Sequence, residues 1–394
     1  GDPLEDRRFG CVHGQGRQEL FWTTRLHFSE TAKVCQDAPG AWAGRTGGRI
    51  DGDKPGRGNG IRRGNGIFAT ERLELTQNAA GAWKRIGRKK TDCRNMDLDT
   101  TLDGDAGGAR ALRREDLLEL AGRHGTPLYV YDATVIRRQM ARLREALGGV
   151  ADVRIHYAAK ALTTLPVLEL MRRLGCGLDA VSIGELEMGL RAGFAAEEMM
   201  FTPNGVAWEE VERAVALGVQ VNLDNLPQLE AFGRAFPGRK VCVRINPNIM
   251  AGGNRNISVG HSRSKFGISV RRLPELLELV RREGIAVNGV HMHTGSDILD
   301  LEVFLQAVDV LLGVAKEFPE VEYLDFGSGF KVAYKPGDVQ TDMAAFGRAL
   351  AERVEAFGRE RGRPVAMVFE PGKFLVSEAG HLLVRATVVK AGDA

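Results

Sequence analysis

The stretch IHYAAKALTT, Ile155 to Thr164, alternates like a strand and runs into a lysine flanked by alanines. Burying an ammonium without a partner costs several kcal/mol, so Lys160 is either a strand end reaching solvent or a chemical tool. An amine in a desolvated site loses its proton more readily and becomes a nucleophile toward carbonyl groups. Downstream, the glycine-rich turn Gly327, Ser328, Gly329 offers backbone N–H groups, and the Ser296 hydroxyl is a further donor; both suit a bound phosphate. A lysine, a phosphate site and a carboxylate, with no metal-ligand spacing, point to pyridoxal 5'-phosphate. Its ring nitrogen needs an acidic partner if the ring is to accept electrons. Glu370 can be that partner, and no metal is expected.

These residues need a scaffold that brings them together. From about Met96 onward strand-like and helix-like runs alternate. Strands are expected at Arg154 to Lys160, Gly177 to Ser182, Met199 to Asn204, Gln220 to Asn225, Lys240 to Pro247, Ala286 to Thr294, Val321 to Gly329 and Ala366 to Gly372. Helical patterns such as LPVLELMRRLG, AWEEVERAVALG, RRLPELLELVRREG and AAFGRALAERVEAFGRERG lie between them. Eight strands with helical intervals give the rhythm of an α/β (β/α)8 TIM barrel, in which function gathers at the C-terminal strand ends. Polar residues recur at those ends: Lys160; Asp179, Ser182 and Glu185; Asn204; Asp224 and Asn225; Arg244 and Asn246; His293 and Ser296; the GSG turn; and Glu370. Alternation puts His156, Ala158 and Lys160 on one face, with Ala158 leaving space beside the lysine. A doubly wound open sheet has the same alternation, but no GxGxxG follows the first strand.

Charge separates the chain into unlike parts. Residues 1 to 95 hold 18 Lys/Arg against 11 Asp/Glu, and the rest hold 36 against 40. The overall +3 therefore comes from the first part. The remainder carries no basic surplus for nucleic acid or an anionic membrane. Residues 1 to 95 mix Gly and Arg without periodicity and are expected to be disordered or a non-native extension, with Met96 as the start. A lead-in helix and strand are expected over 96 to 150, a cofactor-binding barrel over 151 to 380, and the start of a C-terminal β domain over 381 to 394. The five cysteines, Cys11, Cys35, Cys93, Cys176 and Cys242, are scattered and odd in number, which fits a reducing cytoplasm. No apolar run reaches the roughly 18 residues a membrane span needs.

The runs TPLYVYD, IHYAAKA, GLDAVSIGELEMGLRAG, VRINPNI, SVGHSRSKFGIS, GVHMHTGSDI, LDFGSGFKVAY and EPGKFLVSEAG occur in that order from about Thr126. Together they resemble the fold-type III pyridoxal-phosphate decarboxylases, most closely the diaminopimelate decarboxylases, whose barrel is of the alanine racemase type. The resemblance implies that Lys160 carries the cofactor as a Schiff base and that His293 stacks on its ring. It also implies that Glu370 pairs with the ring nitrogen, and that Ser296 and Gly327 to Gly329 hold the phosphate. Asp179, Glu185 and Arg244 fall where that family lines the cofactor pocket; a structural ion-pair network is the alternative reading. In EPGK, Glu370, Pro371, Gly372 and Lys373 line the same pocket, and Lys373 replaces an arginine that contacts phosphate or substrate carboxylate. A lysine supplies charge without a bidentate fork.

The implied activity is decarboxylation of meso-diaminopimelate to L-lysine and CO2 by a cytoplasmic homodimer acting on a small amino acid. The alternatives are a sister decarboxylase of another basic amino acid or polyamine precursor, and a non-catalytic regulator that binds the cofactor. Family members continue into a C-terminal β domain with a proton-donating cysteine. That domain is expected to be largely missing here, because the chain stops at ATVVKAGDA and neither Cys176 nor Cys242 matches the donor motif.

Overall fold

The structure is a computed structural model. It describes residues 112–250, 259–261, 264–335 and 337–389, together with the backbone of four strands: Gly10–Gly14 (β1), Arg17–Thr24 (β2), Glu74–Gln77 (β3) and Trp83–Gly87 (β4). The expectation of disorder over residues 1 to 95 otherwise lies outside the described residues. Two compact units emerge, Gly1–Ala133 with Gly380–Ala394, and Thr134–Ala379.

In the first unit, helix Arg114–His124 (α1) leads into strand Leu128–Tyr131 (β5). Leu117, Leu120 and Ala121 of the helix pack with Leu128, Val130 and Leu383. The last strand of the chain, Gly380–Arg385, pairs antiparallel with β5 and with β2, while β3 pairs with β4. Lead-in and tail thus share one sheet.

The second unit is the barrel. Its strands are Val153–Ala158 (β6), Gly177–Ala180 (β7), Met199–Phe201 (β8), Gln220–Leu223 (β9), Lys240–Asn246 (β10), Ala286–His291 (β12), Tyr323–Asp325 (β13) and Ala366–Phe369 (β14). A two-residue strand, Ile268–Ser269 (β11), pairs with β10 outside the ring, and Gly380–Arg385 is β15. The eight pair in parallel in the order β6, β7, β8, β9, β10, β12, β13, β14, and β14 returns to β6. This closure excludes the open sheet. All eight expected strands are present, each ending one to four residues earlier than the sequence suggests. Beyond those points the chain leaves the ladder as the loops that carry the polar residues.

Helices Ala133–Ala146 (α2), Leu165–Arg173 (α3), Ile183–Arg191 (α4), Trp208–Leu217 (α5), Leu226–Ala235 (α6), Leu273–Glu283 (α7), Leu301–Lys316 (α8), Met343–Arg361 (α9) and Lys373–Val376 (α10) alternate with the strands. Nearly all of α2 falls with the barrel unit, so that unit begins earlier than the expected residue 151. Local chemistry sets the helix starts: Asn225, Asp300 and Asp342 each accept a first-turn backbone N–H, from Gln228, Val303 and Ala345. Outside the barrel the Phe346 ring packs on Phe304, Phe330 and Phe369 at 5.3, 5.1 and 6.2 Å. Burying a ring of that size contributes about 1.5–3 kcal/mol. Among the described residues no helix is long and apolar enough to cross a membrane.

Candidate active site

Strand register decides which side chains meet inside the barrel. Arg244 of β10 is level with His291 of β12, and His291 with Asp325 of β13. Asp325 is level with Val368 of β14, and Glu370 lies two residues further along the same face. On the other wall Ala158 is level with Asp179, and Asp179 with Met200. Asp179, Arg244, His291, Asp325 and Glu370 are all buried. The expected face of β6 therefore looks into the barrel, but Ala158 serves a neighbour other than Lys160. Its N–H donates to Pro371 O at 3.3 Å, and a Cβ added at Gly372 would lie 3.3 Å from Ala158 Cβ. The small side chain makes room for the turn after Glu370.

Lys160 sits in a single 3-10 turn, Ala159–Ala161, two residues past the strand to which it was assigned. Its side chain is 48% exposed, and Nζ lies 3.5 Å from Oδ2 of Asp179, which has no exposure. Burial pulls the Lys160 ammonium down, but the carboxylates Asp179 and Glu370 outweigh burial and leave it raised. This corrects the expectation of an easily deprotonated amine: nearby negative charge holds the proton. Asp179 is itself pushed up to about 7 by burial and by Glu370, against the pull of Lys160.

Glu370 lies within 3.3 Å (Oε2) of His291 Nε2, while its Oε1 is buried with no hydrogen-bond partner among the described residues. Burial pushes this carboxyl up, but His291, Lys160 and His293 outweigh burial, so Glu370 is the anion of the cluster. Burial pulls His291 and His293 down from the ordinary imidazole value, with Glu370 pulling the other way. His293 Nδ1 accepts the Ser328 N–H at 3.4 Å, which leaves the proton on Nε2.

The GSG turn proves to be partly self-satisfied. Gly327 N–H donates to Asp325 Oδ1 at 2.9 Å and Ser328 N–H to His293, so two of its three donors are already engaged. Gly327 O accepts from Glu370 N–H at 2.8 Å, tying the turn to the carboxylate. The Ser296 hydroxyl has no partner among the described residues. Next to it, Asp297 Oδ1 receives Lys373 Nζ at 3.0 Å, and Lys373 also lies 3.0 Å from the Tyr334 hydroxyl.

Ser182 caps the start of α4, its Oγ accepting Glu185 N–H, and Glu185 Oε2 reaches back to accept Val181 N–H at 2.7 Å. Asp224 accepts from Asn204 at 2.6 Å and from Asn225 at 3.2 Å, a structural network at two strand ends. The run SKFGI now has a physical role. Phe266 puts its ring under Arg244, whose guanidinium carbon is 4.9 Å from the centroid. Asn246 Nδ2 donates to Phe266 O at 3.1 Å, and Gly267 at φ +78° lets this loop press on the Asn246 backbone. Cys176 and Cys242 are free, buried core residues; burial pushes the first thiol up to about 12 and the second well above its ordinary value.

His291, Asp325, Asp297 and Tyr334 were not singled out in the sequence. His291 was detectable, since it stands two residues before His293 in VHMH and alternation puts both on one face.

Glu370 Oε1 and Asp179 Oδ1 are buried acceptors with no hydrogen-bond partner among the described residues, and beside a half-exposed lysine they are what a cofactor with a protonated ring nitrogen and an aldehyde would suit. The donor set fits pyridoxal phosphate. Residues 133–377 match the family described as pyridoxal-dependent decarboxylase, pyridoxal binding domain. The chain is 35% identical over 286 residues to the diaminopimelate decarboxylase of Methanothermobacter thermautotrophicus, covering 70% of this chain and 66% of that one. It is 37% identical to that of Streptomyces coelicolor over 71% of this chain and 63% of the relative. The crystal structure of diaminopimelate decarboxylase from Helicobacter pylori complexed with L-lysine superposes with a TM-score of 0.61 at 29% identity, over 68% of each chain. The chain thus spans slightly less than two thirds of the length of these curated relatives.

Proposed function

The chain belongs to the pyridoxal-dependent decarboxylases, and from that premise we propose that it takes part in decarboxylating meso-diaminopimelate to L-lysine and CO2. The observation that carries this reading is the buried, anionic Glu370 with one oxygen unpartnered, in electrostatic contact with Lys160. Bound pyridoxal phosphate supplies an electron sink for the pair left at the α-carbon when CO2 departs. The protein residues prepare the site. Glu370 presents its free oxygen to the ring nitrogen, and its negative charge keeps that nitrogen protonated. Lys160, with Nζ 3.5 Å from Asp179 Oδ2, is the amine that would hold the cofactor. His293, oriented by Ser328 N–H, supplies a flat aromatic face. Ser296, Gly329 N–H and the EPGK turn with Pro371, Gly372 and Lys373 are the residues we assign to the phosphate side. Arg244, held on Phe266, balances the carboxylates. Glu185, through its bond to Val181 N–H, fixes the loop that follows Asp179.

The substrate assignment follows the relatives at 35% and 37% identity, both named diaminopimelate decarboxylase. Two buried, unpaired cysteines accord with a reducing cytoplasm, and a homodimer is the assembly we expect. The test is direct. With pyridoxal phosphate added, borohydride reduction and peptide mapping should label Lys160, and CO2 should be released from meso-diaminopimelate but not from ornithine or arginine. Label on another lysine refutes the cofactor assignment, and release from ornithine alone refutes the substrate.

A further inference from the structure

Asp325 ends β13 inside the barrel and is out of contact with solvent. Its Oδ1 accepts the Gly327 N–H at 2.9 Å. Its Oδ2 is buried and has no hydrogen-bond partner among the described residues. Its nearest polar neighbours include His291 and Glu370, one polar atom of each of the three lying within 4.8 Å of the other two, and buried Arg244 and Asp179 also act on it electrostatically, the first favouring its ionised form and the second opposing it. Two carboxyl groups this close in a dry interior do not both ionise, since each charge forfeits its hydration and repels the other. His291 Nε2 stands against Glu370 Oε2 at 3.3 Å, so Glu370 is the one with a stabilising neighbour. Burial and the nearness of Glu370 accordingly raise Asp325 well above the carboxylate range.

We propose that Asp325 is a neutral carboxylic acid that accepts the Gly327 N–H with its carbonyl oxygen and keeps its protonated oxygen beside Glu370, acting as a positioning residue for that carboxylate. The arrangement fixes Glu370 from two sides, His291 on one and Asp325 on the other, and couples it to the GSG turn through Gly327. A side chain that accepts on one face and donates on the other is matched by an asparagine amide and not by an ionised carboxylate. The consequence for the cofactor rests on the function proposed above, whereas the protonation of Asp325 does not.

Infrared difference spectra of the cofactor-free protein, wild type minus Asp325→Asn, test the proton directly. The expected result is a carboxylic C=O band at about pH 8, well above the ordinary range for aspartate, that is absent in the variant. Asp325→Asn should then keep the cofactor absorbance spectrum and its affinity within about threefold, while Asp325→Ala, with no donor, loses about tenfold or more. Should Asp325→Ala fail to fold, the band and the asparagine rescue decide alone. A carboxylate band in place of the acid, an asparagine variant as damaged as alanine, or one equivalent of divalent cation bound by the three residues would each overturn the proposal. A wild type that shows the acid band but binds no pyridoxal phosphate would instead refute the function and leave Asp325 as inferred.

Discussion

The Arg244 guanidinium rests on the face of Phe266, 4.9 Å from its centroid, although the two residues come from a barrel strand and from a loop beyond it. The charge is buried, and burial pulls it down, while Glu370, Asp224, Asp179 and Asp325 pull it up. The aromatic face offsets part of the lost hydration without adding another charge. Phe266→Leu keeps apolar bulk but removes the ring quadrupole, and should cost about 1–2 kcal/mol, read as a lower urea midpoint. An unchanged midpoint would mean the carboxylates alone hold the guanidinium.

Asp179 and His156 give the stability curve opposite slopes with pH. Burial and Glu370 raise Asp179 from 3.8 to about 7 in the folded chain. The unfolded chain releases that proton near 3.8, so the contribution of Asp179 is complete below that pH and is lost as pH rises toward 7. Burial lowers His156 from 6.5 to about 4. Its contribution is complete above 6.5 and is lost as pH falls toward 4, because only the unfolded chain takes up the proton. Relative to wild type, Asp179→Asn should gain stability as pH climbs through this window, and His156→Gln should gain as pH falls. Melting temperatures of the cofactor-free proteins from about pH 4 to pH 7 check both. Curves parallel to wild type would show that neither group is perturbed.

The barrel was legible because the strands are buried over most of their length and read as short apolar runs, β10 being buried from Val241 to Asn246. The strand ends were less so. Val321 to Gly329 reads as one strand, yet only Tyr323–Asp325 stays in the ladder, because Gly327 at φ +60° and Gly329 at φ +127° turn the chain out of it. Lys160, His293 and Glu370 announced themselves as polar residues in apolar runs. Asp325 did not, since a buried aspartate before a glycine turn reads as an ordinary turn residue. Nor did Asp297 and Tyr334, whose meeting with Lys373 depends on loops from three parts of the barrel. Phe266 was visible only as part of a motif, because its partner lies on a strand before it.

The lysine in the EPGK turn is held by a carboxylate where an arginine fork is usual in the family it resembles. Lys373 is three-quarters covered and bonds Asp297 and Tyr334. Asp297 has a second constraint, a left-handed backbone at φ +56°. Asp297→Asn keeps a residue that tolerates that conformation and loses only the charge, at a cost of about 1 kcal/mol for a partly covered pair. Asp297→Ala loses the charge and adds backbone strain of about 1–2 kcal/mol. Urea denaturation should rank wild type above Asn and Asn above Ala; equal loss in both variants would show that the backbone is relaxed and the ion pair carries everything.

Gly329 and Gly337 have similar demands on the backbone and different surroundings, and this separates strain from close approach. Gly329 has φ +127°, and an added Cβ would lie 2.2 Å from Gly295 O and 2.9 Å from Ile298 Cδ1. Its own carbonyl accepts Ile298 N–H at 2.9 Å, so the GSG turn and the loop carrying Ser296 are pressed together there. Gly337 has φ +87° but nothing within 4 Å of an added Cβ. Gly337→Ala should therefore cost only conformational strain, about 1–2 kcal/mol, and leave cofactor affinity unchanged. Gly329→Ala must drive two backbones apart, costing a further 1–3 kcal/mol or so, and should weaken pyridoxal phosphate binding by about tenfold or more, because the GSG turn and the loop carrying Ser296 are pushed apart. Absorbance titration with pyridoxal phosphate alongside urea denaturation gives both numbers. If Gly329→Ala loses stability but keeps affinity, the GSG turn is a structural joint between β13 and β14 and the phosphate is held elsewhere.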